Sequence, residues 1–329
     1  MFSVKNGSIS SIALAAALAI LGIGFLKFYQ QQKPHEVILI AGTSSAGKTS
    51  IINELTKSIG KKYLVVKIDD FNTQEALEQK VKTWGWDPKK STLDDFMASY
   101  VVNKTGLGLE QALSSQVGQA IHKETSDAMH AAFFKHVKHA ATKSNIIVDT
   151  VFDTVNNFEQ FLAIMRGNKI TKILIYCPLD VIQERVDKRN LSGKPEEQRS
   201  TFQAFRQFAA MYKLHESPHD QIVDKISSEP ILKSLKKAID DIIQELEQTK
   251  PKNDLARAKL KGDIESVRLF YESFINQFKL NELQEIVIVP MRHYDLIINS
   301  KTDQPRENAQ KIFNYVTKKI REDRRSERR

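Results

Sequence analysis

The chain has a single cysteine among its 329 residues, so no intrachain disulfide can form, which fits a reducing compartment. That residue, Cys177, follows the apolar run Ile173–Tyr176 and reads as a small core residue rather than a nucleophile. Although the net charge is +9, no basic stripe interleaved with aromatic residues occurs, and no nucleic acid is expected as a partner. Part of the excess charge sits in the C-terminal "REDRRSERR", which reads as a solvated terminus. The histidines lack a metal-site pattern. His130, His136 and His139 lie in "MHAAFFKHVKHA", but no third ligand of the right type is close in sequence, so they read as a solvated helix face.

What is present begins at the N-terminus. Between Lys5 and Lys27 lie 21 uncharged residues, "NGSISSIALAAALAILGIGFL". As a helix they would span roughly the ~30 Å hydrocarbon core of a bilayer. No A-x-A cleavage site precedes "KFYQQQKP", and the charged leader is only Lys5. The expectation is an N-terminal transmembrane helix, membrane contact through residues 6–26, and a linker ended by Pro34. Positive charge after the segment puts the remainder on the cytoplasmic side of a single-pass membrane protein. The alternative is export after signal cleavage.

"ILIAGTSSAGKTSIINEL", starting at Ile38, carries the strongest motif. Gly42, Gly47, Lys48 and Thr49 fit G-x-x-x-x-G-K-[ST], the spacing of a phosphate-binding loop. Glycines let backbone N–H groups close around phosphates, the lysine reaches the β- and γ-phosphates, and the hydroxyl binds Mg²⁺. The expected nucleotide-binding residues are Gly42, Thr43, Ser44, Ser45, Ala46, Gly47, Lys48, Thr49 and Ser50. Val37–Ala41 reads as a buried parallel strand. Ser50–Ile59 reads as a helix whose N-terminus points at the bound anion.

Three more strands are expected at Tyr63–Asp69, Asn145–Asp153 and Lys172–Pro178, separated by stretches long enough for helices. Alternation of this kind predicts a parallel sheet with helices on both faces and ligands at the C-terminal strand ends. Asp69, ending the second strand, is placed to accept a proton from an attacking hydroxyl, while Asp70 beside it suits a helix cap. Asp149, ending the third, is placed to hold Mg²⁺, and Asp153 to help bind substrate. In "PLDVIQERVDKRNLSGKPEEQR", Arg185 and Arg189 share a helix face before Ser192, Gly193 and Pro195 break it. That reads either as a lid closing over phosphates or as a solvated helix paired through Glu184 or Asp187. Trp84 and Trp86 lie where an acceptor pocket would be, and they stack on substrate or simply pack.

The order "GTSSAGKTS", "KIDDF", "IIVDTVF", then an arginine-bearing lid, resembles the chloramphenicol phosphotransferase-like P-loop kinases over roughly Val37 to Arg199. Zeta-toxin-like kinases are a neighbouring possibility. The resemblance implies Asp69 as the base for the acceptor hydroxyl, Lys48 and Thr49 as the loop lysine and hydroxyl, and Asp149 as the third-strand aspartate. The family is usually soluble and shorter, and it acts on unrelated acceptors.

In the C-terminal half, "FQAFRQFAAMYKL" (Phe202–Leu214) resembles "VRLFYESFINQFKL" (Val267–Leu280), and a possible strand and helix follow each. Only one of the two strands can be fifth in the core sheet, and Tyr294–Asn299 is the more strand-like. The expected architecture is α/β, a P-loop NTPase with a five-stranded parallel sheet sandwiched by helices. Residues 1–35 would be the membrane segment and linker, and 36–329 the kinase domain with a mainly helical insertion over 201–284. The alternative ends the kinase at 248 and begins a partial duplication at 251. The expected function is a Mg-ATP-dependent phosphotransferase acting on a hydroxyl of a small molecule, with Lys48, Asp69, Arg185 and Arg189 as catalytic residues and Thr49 and Asp149 as metal ligands. The rival is a membrane-tethered nucleotide switch whose helical C-terminal part serves a protein partner.

Overall fold

The computed structural model describes residues 34–326 except 72, 109–111, 113–114, 153, 193–200, 219, 249–253 and 302–303. In chain order the elements begin with β1 (Glu36–Ala41), α1 (Lys48–Ile59), β2 (Tyr63–Lys67), α2 (Thr73–Lys82), α3 (Leu93–Thr105), α4 (Gln116–Ala141), β3 (Asn145–Thr150) and α5 (Val155–Ile164). They continue with β4 (Lys169–Tyr176), α6 (Leu179–Ser192), α7 (Thr201–Met211), β5 (Tyr212–Leu214), β6 (Asp224–Ser227) and α8 (Ser228–Gln248). The last are α9 (Asp254–Phe278), β7 (Glu285–Pro290), β8 (Leu296–Asn299) and α10 (Pro305–Ser326).

Five strands form a parallel sheet in the order β2-β3-β1-β4-β8. The central strand β1 explains itself by composition. Val37–Ala41 are all buried, because a parallel strand covered on both faces must be apolar throughout rather than alternating. Each such aliphatic side chain contributes about 1.5–3 kcal/mol by leaving water. Helix α1 starts at the loop glycine Gly47, which has a φ of 90°, and stops at Gly60, with a φ of 67°. It buries Ile51, Ile52 and Leu55 and packs against the C-terminal helix α10. The first and last helices of the described chain therefore pack together.

Leu296–Asn299 completes the sheet by pairing in parallel with β4. The other candidate strand, Asp224–Ser227, belongs elsewhere. It joins β5 and β7 in a three-stranded antiparallel sheet, order β5-β7-β6. The segment between α6 and β8 is thus helical with a small sheet of its own. Tyr176, at the end of β4, fastens the two sheets by donating its hydroxyl to Asp224 at 2.7 Å.

One expectation is corrected. Among the described residues no helix is long and apolar enough to cross a membrane. Even the longest, α4 at 26 residues, carries Lys123, Glu124, Asp127, Lys135 and Lys138 along its length, and a bilayer interior would leave those charges without water. The apolar stretch 6–26 lies outside the described residues. The N-terminal transmembrane helix and the single-pass membrane location are not supported and are withdrawn.

Candidate active site

The loop between β1 and α1 is tightly built. A Cβ on Gly42 would lie 2.5 Å from the backbone oxygen of Ile175, so only glycine lets β1 leave the sheet there. Gly47 and Ser45 both have positive φ, 90° and 61°, a strain often found where backbone amides are turned toward a ligand. Lys48 curls back over the loop. Its Nζ donates to Gly42 O at 2.9 Å and Thr43 O at 3.0 Å. The hydroxyl oxygens of Thr43 and Ser45 are buried without hydrogen-bond partners among the described residues.

Asp149 comes up beside this loop from the neighbouring strand β3, which pairs with β1 in register Ile40 to Asp149. It is only 6% exposed and lines the same cleft as Thr49. Burial pushes its carboxyl above the usual range, against the pull of Lys48. Burial likewise pushes Lys48 below its ordinary value, against the pull of Asp149 and then Asp69. Two opposite charges are thus held where water does little for either, an arrangement that gains when a phosphate and a cation complete it. The donor set fits Mg-nucleotide: loop amides and a lysine for phosphate, a hydroxyl and a carboxylate for a hard cation.

Asp69 lies two residues beyond β2, exposed, on the rim of the same cleft. Ile68 N donates to Asp149 O at 3.0 Å, and this bond leads the turn past Asp149. Asp70 is exposed and does not line the cleft. Arg185 and Arg189 both line it, from α6. Arg185 is engaged with protein groups. Its guanidinium donates to Ser300 O at 2.6 Å, Ser300 Oγ at 3.3 Å and Ser45 O at 3.4 Å, tying the phosphate loop to the turn after β8. Glu184 pairs with Lys188 at 2.6 Å. Arg189 is exposed, and Gly193, Pro195 and Asp153 lie outside the described residues.

The cleft measures about 950 Å³. Several of its walls carried no local motif. His130 is buried at its edge, its Nδ1 2.9 Å from Ser126 O, so it is not on a solvated face; His136 and His139 are exposed. Among the described residues no cluster of three or more His, Cys, Asp or Glu could hold a metal. Gln203 and Gln207 of α7 line the cleft, as do Ser300, Pro305 and Asn308 around the start of α10. The tryptophans lie elsewhere. Trp84 stacks on Tyr100 of α3 with centroids 5.0 Å apart, and buried Trp86 donates to Ser91 O at 3.1 Å in the loop between α2 and α3. Cys177 is buried, and burial raises its thiol pKa.

Comparison with known proteins matches residues 35–200, half of the chain, to the family described as chloramphenicol phosphotransferase-like protein. No curated protein sequence matches the chain. Among solved structures, the tunicamycin resistance protein of Deinococcus radiodurans is 15% identical over 51% of this chain and 74% of its own, with a TM-score of 0.28. Shikimate kinase from Aquifex aeolicus is 11% identical over 86% and 98%, TM-score 0.30. A gluconokinase from Sinorhizobium meliloti is 14% identical over 73% and 97%, TM-score 0.31. Likeness this distant carries nothing about substrate.

Proposed function

The chain belongs to the chloramphenicol phosphotransferase-like family, and from that premise we propose that it is a P-loop kinase moving the γ-phosphate of Mg-ATP to a hydroxyl of a small molecule. The observation that carries this reading is the convergence of Lys48, Asp149 and Asp69 on one cleft behind a loop that Gly42 alone permits.

In this reading the loop amides and Lys48 hold the phosphates, and Thr49 and Asp149 hold the cation. The cation, when bound, neutralises charge on the phosphates. Asp69 accepts the proton of the acceptor hydroxyl as its oxygen attacks in line. Its exposure at the rim suits it to meet an acceptor arriving from solvent. Arg185 fixes the loop through Ser45 and Ser300, and Arg189 is the arginine available to close over the phosphates. Little covalent chemistry is required of the protein; positioning and charge neutralisation supply the rate.

The test incubates the full chain with Mg²⁺, γ-labelled ATP and a small-molecule extract. Wild type is expected to label a small molecule. Asp69→Asn is expected to keep nucleotide binding and lose transfer by about 10²–10⁴-fold. Unaltered transfer by Asp69→Asn would sink the base assignment. Nucleotide bound with no label moved to any acceptor would replace the kinase with a nucleotide-dependent switch.

A further inference from the structure

We propose that Gln207 is a phosphate-contacting residue that makes the site selective for a nucleoside triphosphate over a diphosphate; this rests on the nucleotide reading of the loop. Gln207 lies on α7, outside the family-matched segment, and is 9% exposed. Its Oε1 accepts from the backbone N of Ser44 at 2.7 Å, and the side chain lines the cleft.

The chemistry fixes its orientation. A backbone N–H can only donate, so the amide oxygen must face Ser44. The two Nε2 donors are then the part of the amide left to meet a ligand. Lys48 Nζ is held by the carbonyls of Gly42 and Thr43, the two residues before Ser44. The lysine charge and the Gln207 amide therefore mark the same rim of the loop. A lysine in such a loop reaches the terminal phosphates, while the amides opening the helix take the inner ones. A diphosphate still meets Lys48 through its β-phosphate but leaves the γ-phosphate position beside the Gln207 amide empty.

Gln207 is also held in place from behind. The next residue, Phe208, lies against Phe274 and Phe278 of α9, with centroids 6.4 and 5.8 Å away. The C-terminal unit thereby sets where the amide stands relative to the loop.

The experiment titrates a non-hydrolysable ATP analogue and ADP, each with Mg²⁺, into the full chain and its variants. Gln207→Ala is expected to weaken the triphosphate roughly tenfold, the loss of one hydrogen bond to a charged group, and ADP by less than about twofold. Gln207→Glu is the sharper variant. It keeps the shape and still accepts from Ser44, but it has no donor and adds negative charge, so it is expected to bind the triphosphate more weakly than Gln207→Ala does. Wild-type triphosphate affinity in Gln207→Glu would overturn the proposal and leave Gln207 a brace for the loop. So would an equal loss for both nucleotides. Should Gln207→Ala fail to fold, the isosteric Glu variant decides alone. Lys48→Ala keeps the two readings apart. Its loss of both nucleotides supports the loop as their site. Undiminished binding by Lys48→Ala would instead refute the nucleotide site itself.

Discussion

The parallel sheet and the helical unit that precedes its last strand are built from different materials. In the parallel sheet, β1 and β3 contain no aromatic residue. Their buried positions are Val, Ile, Leu and Ala together with Thr150, and Asp149 is the one charged side chain among them. Small and β-branched residues let neighbouring strands and the loop backbone approach closely, as Gly42 does against Ile175. The C-terminal unit is aromatic instead. Phe202, Phe205 and Phe208 of α7 meet Phe270, Phe274 and Phe278 of α9 at centroid distances of 4.9 to 6.4 Å, with residue numbers rising together along both helices. The side chain of Gln277 donates to Ala209 O at 2.8 Å and Tyr212 O at 3.0 Å, satisfying carbonyls where α7 ends. Precision at the loop comes from closeness of backbone, and support behind it from area of ring.

Three perturbations would break or sharpen that contrast. Phe274→Ala removes a fully buried ring from the middle of the ladder and is expected to cost about 3–5 kcal/mol in denaturant unfolding. If the ladder holds α7 against the loop, triphosphate affinity falls along with stability; unchanged affinity in the folded variant would separate the two regions. Gly42→Ala puts a methyl group onto the Ile175 carbonyl. It is expected to cost about 1–3 kcal/mol, with a loss of nucleotide binding out of proportion to its effect on the melting temperature. Equal melting and binding to wild type would show that the loop has room the geometry denies.

The smallest effect is a pH dependence with opposite signs in two measurements. Lys48 has its pKa lowered by burial, so the folded chain gives up that proton before the unfolded chain does. Between the lowered value and the ordinary lysine value, the unfolded state binds more protons, and the stability contribution of this group rises with pH. Nucleotide binding needs the charged lysine, so affinity falls as pH rises through the same window. Calorimetric titration and thermal melting across alkaline pH, with Lys48→Met as reference, should show both trends in wild type and neither in the variant. Trends of the same sign would mean that another group governs one of them.

Much of the nucleotide side was legible because its information is local. Four residues at fixed spacing, a β-branched run and a strand-end aspartate sit within short windows, and Gly42, Lys48, Thr49 and Asp149 meet as that spacing implies. Asp69 and Arg189 also reach the cleft. His130 was hidden by its neighbours: His136 and His139 point out of the same helix, and only the helix phase turns His130 inward. Gln207 had no local mark at all. It is a polar residue inside an aromatic face, and its value depends on a loop 163 residues away. The likeness between Phe202–Leu214 and Val267–Leu280 has a packing counterpart. The two helices are the two sides of one ladder, with rings at 202, 205 and 208 on one and at 270, 274 and 278 on the other.

Strand β8 carries a consequence for how the protein is made. It occupies Leu296–Asn299 and pairs with β4, whose last residue is Tyr176. A ribosome synthesises from the N-terminus, so the sheet must wait through the synthesis of residues 177–295 for its fifth member. Until then β4 presents an open edge with unpaired backbone groups, the kind of surface that recruits other chains. The α7–α9 unit emerges during that interval, and Tyr176 can already reach Asp224 from it. The aromatic α7–α9 unit stands, in the order of synthesis, where a temporary guard of the unfinished edge would have to be.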